Sequence, residues 1–126
     1  MTGTRILLID DDAELCEELA DILGDEGFKV TVAPDAFEGV KLLASGSFDL
    51  AILDYKMPGL NGVEILKKAR DLKAKTPVFL VSGRPFMEKL LEEEELSGLV
   101  SAVLSKPFDP EELLAKIRAR TGPAPV

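Results

Sequence analysis

Three acidic residues, Asp10-Asp11-Asp12, follow directly on the apolar run Ile6-Leu7-Leu8-Ile9, and a further acid, Asp54, closes a matching run, Leu50-Ala51-Ile52-Leu53. Runs of that kind read as parallel strands buried on both faces, so the two sets of carboxylates emerge at strand C-terminal ends. Open α/β sheets bind their ligands at that edge. Like charges gathered there repel one another unless a cation offsets them. Oxygen donors in a chain without histidine point to a hard ion, Mg²⁺ before zinc.

Two more reactive groups end apolar runs of the same type. Ser82 follows Val78-Phe79-Leu80-Val81, and Lys106 follows Val103-Leu104-Ser105. Together the four features could handle phosphate. The carboxylates hold a divalent ion, and one of them is free to act as a nucleophile on phosphorus. A serine hydroxyl can donate to a phosphoryl oxygen while a lysine supplies compact positive charge. Phosphoryl transfer asks for little beyond this positioning and charge compensation.

The elements that must carry these groups alternate along the chain. Strands are expected near 5–9, 28–33, 49–53, 77–81 and 100–104, and helices near 12–25, 35–45, 62–74, 86–95 and 109–120. The first helix carries Leu15, Leu19, Ile22 and Leu23 on one stripe, and the third carries Val63, Ile65, Leu66 and Ala69. Gly24 and Gly27 fit the end of the first helix. Asp12 is as good an N-cap as a ligand, and Asp109-Pro110-Glu111-Glu112 reads as N-cap, first-turn proline and first-turn acids. Five βα repeats imply a parallel sheet between helix layers with right-handed crossovers; strand order is not readable from spacing.

Composition bounds the rest. The 126 residues are one domain by length, large enough to bury a core. Residues 1–120 form that domain, and 121–126 read as a tail or the start of a linker. No apolar run reaches the roughly 20 residues of a membrane span, and no secretory signal is visible, so the expected compartment is the cytoplasm. Cys16 has no second cysteine to pair with and reads as a small apolar filler. The net charge is −8, and residues 10–26 hold nine acids and no base, a surface that repels phosphate backbones and argues against direct nucleic-acid binding. The absence of histidine excludes a Ser–His triad, a histidine zinc site and a phosphohistidine formed on this chain.

The residues also match a known family. Ile6 to Asp12, Asp54-Tyr55-Lys56-Met57-Pro58-Gly59-Leu60-Asn61-Gly62, Val81-Ser82-Gly83 and Ser105-Lys106-Pro107-Phe108, one set per βα junction, resemble the receiver domain of two-component response regulators. The resemblance covers almost the whole chain. It implies a flavodoxin-like (CheY-like) three-layer α/β sandwich with a five-stranded parallel sheet in the order 2-1-3-4-5. It implies that Asp54 accepts a phosphoryl group from a partner's phosphohistidine, the partner being a sensor histidine kinase or a histidine phosphotransfer protein. Asp11 and Asp54 would bind Mg²⁺ directly with the backbone carbonyl of Lys56, and Asp10 mainly through water. Ser82 would ligate the phosphoryl group, Lys106 would pair with it, and Lys106-Pro107 would be a cis peptide. The output would pass to a downstream protein or an attached effector domain, from a monomer or a weak phosphorylation-linked dimer. Val103 stands where many members carry an aromatic residue that turns inward on activation, a swing valine cannot make. Lys56 and Arg84 would flank the path of an attacking water. Pro58, Gly59 and Gly62 read as turn devices, and Tyr55 as a packing or rim residue.

Two other functions compete. Asp10-Asp11-Asp12 satisfies the Asp-x-Asp of haloacid dehalogenase-like phosphatases, with Asp10 as nucleophile and Asp12 as acid/base. Ala13, the lack of room for a cap domain and the idle Asp54 motif oppose it. A receiver-like binding module without phosphorylation would be expected to lose an acid or the lysine, and all are present.

Overall fold

The computed structural model describes residues 3–121. Strands β1 (Arg5–Ile9), β2 (Lys29–Ala33), β3 (Leu50–Asp54), β4 (Val78–Ser82) and β5 (Val100–Ser105) alternate with helices α1 (Ala13–Asp25), α2 (Ala36–Ala44), α3 (Gly62–Asp71), α4 (Met87–Glu93) and α5 (Pro110–Thr121). All strand pairings are parallel, in the order β2-β1-β3-β4-β5. The three-layer α/β architecture and the strand order implied by the resemblance are those observed.

Alternation along each strand divides the core. Leu7, Ile9, Ala51, Leu53, Val78 and Leu80 pack against α2, α3 and α4. Ile6, Leu8, Leu50, Ile52, Phe79 and Val81 pack against α1 and α5 through Cys16, Leu19, Leu23, Leu113, Leu114 and Ile117. With both faces covered, β3 and β4 are buried at every residue, which is why they read as unbroken apolar runs.

That division also fixes where the acids point. Side chains two apart share a face, so Asp10 continues the Ile6–Leu8 row and Asp54 the Leu50–Ile52 row. β1 and β3 are neighbours with Ile9 opposite Leu53, so Asp10 and Asp54 meet one step past the last paired residues.

Several boundaries differ from the sequence reading for local reasons. Asp12 is the N-cap of α1, its carboxylate accepting from Leu15 N at 3.1 Å. Gly24 lies inside α1, which runs to Asp25, and the turn falls on Gly27 with φ 92°. α4 is shorter than the expected 86–95: Phe86 before it and Glu95 after it take left-handed backbone at φ 62° and 59°. α5 takes in Thr121, the first residue of the expected tail, whose hydroxyl donates to Ile117 O at 2.9 Å. Positions 122–126 lie outside the described residues.

Candidate functional site

The acids gather at the C-terminal edge of β1 and β3. One carboxylate oxygen from each of Asp10, Asp11 and Asp54 lies within 4.8 Å of the other two. Asp10 and Asp54 are 5% and 6% exposed, whereas Asp11 is exposed. The buried position of Asp10 is built by its own loop. Its Oδ1 accepts from Asp12 N at 2.9 Å, and its backbone carbonyl accepts from the Cys16 thiol at 3.3 Å. The thiol is held protonated, pushed up to about 11 by burial and by the acids Asp10, Asp12, Asp11 and Asp54.

Lysine reaches this cluster across one strand. Lys106 follows β5, two strands from Asp54, and its backbone N–H donates to Ser82 O at 2.9 Å. Its Nζ lies 3.2 Å from Asp54 Oδ1 and 3.8 Å from Asp10 Oδ2. Even so, the carboxyl of Asp10 is raised above its ordinary value. Burial is the largest cause, opposed by the Asp12 N–H, reinforced by Asp54 and Asp11, and partly relieved by Lys106. One ammonium does not offset three carboxylates.

An all-oxygen donor set with surplus negative charge fits a hard divalent cation. Asp10, Asp11 and Asp54 would hold it, and it would bring positive charge to any anion arriving at Asp54. Lys56, whose backbone carbonyl the resemblance adds to this set, follows Tyr55 in the connection after β3, with its side chain exposed.

Ser82 ends β4, 3% exposed, with its Oγ accepting from Arg84 N at 2.9 Å. Among the described residues no acceptor for its O–H is found. Arg84 pairs with Tyr55 and not with the acids. Its Nη1 donates to Tyr55 Oη at 2.8 Å, its guanidinium carbon lies 5.4 Å from the Tyr55 ring centre, and it forms no ion pair among the described residues. Tyr55 is a buried packing residue, as its sequence context suggests. Lys106-Pro107 is cis, and Val103 is half-buried against the α2–α4 core.

The structure therefore brings Asp10, Asp11, Asp54 and Lys106 into one site, with Ser82 at its β4 side. Two contacts escape sequence reasoning: the Cys16 thiol on the Asp10 carbonyl and the Arg84–Tyr55 bond. The first pair is separated by only six residues and could be guessed from a cysteine in the first turn after the acids. The second pair is separated by 29 residues and has no local signal.

The geometry has counterparts in known proteins. Residues 6–118 match the model of the response regulator receiver domain. The transcriptional regulatory protein CpxR of Escherichia coli is 41% identical over 118 residues, 91% of this chain and 48% of the relative. YkoG of Bacillus subtilis, an uncharacterized transcriptional regulatory protein, is 35% identical over 122 residues, 94% of this chain and 51% of the relative. The chain thus spans about half the length of these relatives. Among solved structures, the receiver domain of Francisella response regulator 1452 superposes with a TM-score of 0.81 at 28% identity, covering 92% of this chain and 94% of that one. A CheY-like receiver domain protein of Methanospirillum hungatei gives 0.80 at 34% identity, covering 92% and 91%. TrrA of Thermotoga maritima, solved with Mg²⁺ and BeF, gives 0.76 at 29%, covering 92% and 97%. The acid cluster fits a phospho-accepting site, and no helix among the described residues is long and apolar enough to cross a membrane. By family match, fold and site, the chain belongs to the response regulator receiver domains of two-component signalling.

Proposed function

We propose that Asp54 accepts a phosphoryl group from a partner's phosphohistidine in an Mg²⁺-dependent reaction. The observation that carries this reading is the buried Asp54 carboxylate, paired with Lys106 at 3.2 Å inside a three-carboxylate cluster. An Asp54 oxygen forms a bond to phosphorus as the phosphorus–nitrogen bond of the donor breaks. The leaving imidazole nitrogen keeps the electron pair and takes a proton from solvent. Lys106 pairs with the incoming phosphoryl oxygens, and the Ser82 hydroxyl, its O–H uncommitted, turns to donate to one of them. Asp11, Asp54 and the Lys56 backbone carbonyl would hold Mg²⁺, with Asp10 acting mainly through water, and the bound ion would supply positive charge to those oxygens.

Phosphorylation replaces the single carboxylate charge at Asp54 with a phosphoryl group of about two negative charges, a net gain of about one. Drawing Ser82 inward then biases the β4–α4 connection and the surface beyond it, a local charge event acting on a two-state element. The donor would be a sensor histidine kinase or histidine phosphotransfer protein, and the output a downstream protein or an attached effector. A cytoplasmic location suits such a donor and an unpaired, buried Cys16 thiol.

Incubation with Mg²⁺ and acetyl phosphate, read by intact mass, tests the acceptor. The expected result is a gain of one phosphoryl group that disappears without Mg²⁺ and in Asp54→Asn. No gain with fold and Mg²⁺ binding intact favours a module that works by constitutive binding. Turnover of a generic phosphatase substrate that survives Asp54→Asn but not Asp10→Asn favours the phosphatase alternative.

A further inference from the structure

Ser82 makes a contact that the acceptor chemistry does not require. Its Oγ accepts from Arg84 N at 2.9 Å, and the same Arg84 is tied through Nη1 to Tyr55 Oη at 2.8 Å. Both ends of this tie matter. Tyr55 directly follows Asp54 and is a firm anchor: its N–H donates to Val81 O at 2.9 Å and its carbonyl accepts from Gly62 N at 2.7 Å. Gly62 packs so closely that an added Cβ would sit 2.9 Å from Tyr55 Cα. Arg84 sits in a connection with little else to hold it. Gly83 has open space around it, and Phe86 is 78% exposed in left-handed backbone at φ 62°.

A guanidinium committed to a neutral phenol, in a chain of charge −8, is an unusual use of a cation. We propose that Tyr55 and Arg84 form a latch that positions Ser82 in the unphosphorylated state. The latch opposes the turn of the Ser82 hydroxyl toward the phosphoryl group and so limits the rate at which Asp54 is modified. This rests on the acceptor reading of Asp54. Tyr55 and Arg84 are positioning residues here, since neither touches the reacting atoms.

The mechanism is a population argument. While Arg84 is bonded to Tyr55, its backbone N–H stays aimed at Ser82 Oγ, and the conformer with Ser82 turned inward is minor. Breaking the latch enlarges that minor population, and the rate of any step that needs it rises in proportion. A hydrogen bond of ordinary net strength corresponds to roughly a 3- to 10-fold change.

The chain offers its own reporter, because Tyr55 is the single tyrosine and tryptophan is absent. Tyrosine emission therefore reads the latch directly. The experiment compares wild type, Tyr55→Phe, Arg84→Met, the double variant and Arg84→Lys. It follows phosphorylation by acetyl phosphate with Mg²⁺ by intact mass, and Tyr55 emission wherever the phenol remains. Both single variants should phosphorylate about 3- to 10-fold faster, and the double variant no faster than the singles. Arg84→Lys, which can still donate to the phenol, should return toward wild type. Tyr55 emission should change in Arg84→Met, and in wild type on adding beryllofluoride with Mg²⁺ as a phosphoryl mimic.

Unchanged or slower rates in Tyr55→Phe, with wild type phosphorylated normally, overturn the latch and leave the acceptor reading standing. Slower reaction in Arg84→Met with no effect of Tyr55→Phe also overturns it, assigning Arg84 to charge attraction of the donor. No mass gain in wild type sinks the acceptor reading and this one with it.

Discussion

The two helices that leave the site are built to opposite standards. α3 follows Asp54 and opens on a reciprocal capping box: Asn61 Oδ1 accepts from Glu64 N at 2.9 Å and Glu64 Oε1 accepts from Asn61 N at 3.0 Å. It buries Gly62, Val63, Ile65, Leu66 and Ala69 and ends on cations that complement its dipole. α4 follows Ser82, spans seven residues and buries only Met87 and Leu91. Its N-cap, Phe86, offers no side-chain bond, and non-glycine residues in left-handed backbone flank both ends. Asp54, the proposed acceptor, is thus mounted on a stiff frame and Ser82 on a weak one. Under the proposed phosphorylation, such an allocation would let charge at Asp54 move Ser82 and α4 without displacing the carboxylates.

The largest test acts on the stiff side. In Gly62→Ala the new Cβ would meet Tyr55 Cα at 2.9 Å and Leu80 Cδ1 at 3.0 Å. Backbone and a buried strand residue must both give way, at a cost of about 2 kcal/mol. For a domain of this size the melting temperature should fall by roughly 6–8 °C. Thermal unfolding by circular dichroism reads it, and a change under 2 °C would show that this frame yields as easily as α4.

The next pair should have opposite signs. Asn61→Ala removes the cap and half of the box and should destabilise by about 1 kcal/mol. Phe86→Gly relieves left-handed backbone at a residue that buries little and should stabilise by about 0.5–1 kcal/mol. Chemical denaturation of both variants under one condition gives the comparison. If Phe86→Gly destabilises, the phenylalanine side chain is holding α4 in place and the helix is not the weak element described.

The same contrast explains what the sequence could disclose. Strands buried on both faces need unbroken apolar runs, so β1, β3 and β4 and the acids, serine and lysine that end them stood out. Asp12 and Asp109 were legible as caps because capping needs one short polar side chain at a fixed offset; Asp109 Oδ1 accepts from Glu111 N at 2.9 Å. α3, whose local signals all agree, needed only its last residues trimmed. Strand order came with the family resemblance and not from spacing, since parallel crossovers of similar length fit several orders. The reach of Lys106 over β4 to Asp54 depends on that order. Arg84 was read as flanking a water path, and its bond to Tyr55 depends on how a 29-residue excursion returns. The left-handed ends of α4 were invisible because Phe86 and Glu95 carry no glycine-like mark. Tertiary contacts impose those conformations against local preference.

The smallest effect concerns the one ion pair among the described residues that joins the two helices, Lys67 of α3 with Glu94 at the end of α4. Both side chains are over a third exposed, so solvent screens the attraction, and Lys67→Met should lower global stability by less than about 0.5 kcal/mol. Its local consequence should be clearer. With so few buried contacts of its own, α4 opens far below the free energy of global unfolding, and any tie to α3 is a larger share of what holds it. Amide hydrogen exchange of wild type should show α4 exchanging faster than α3. Lys67→Met should speed α4 while leaving α3 unchanged, and raising the salt concentration in wild type should do the same to a lesser degree. Equal acceleration of both helices would mean that they open together, and the division between a stiff frame and a yielding one would fail.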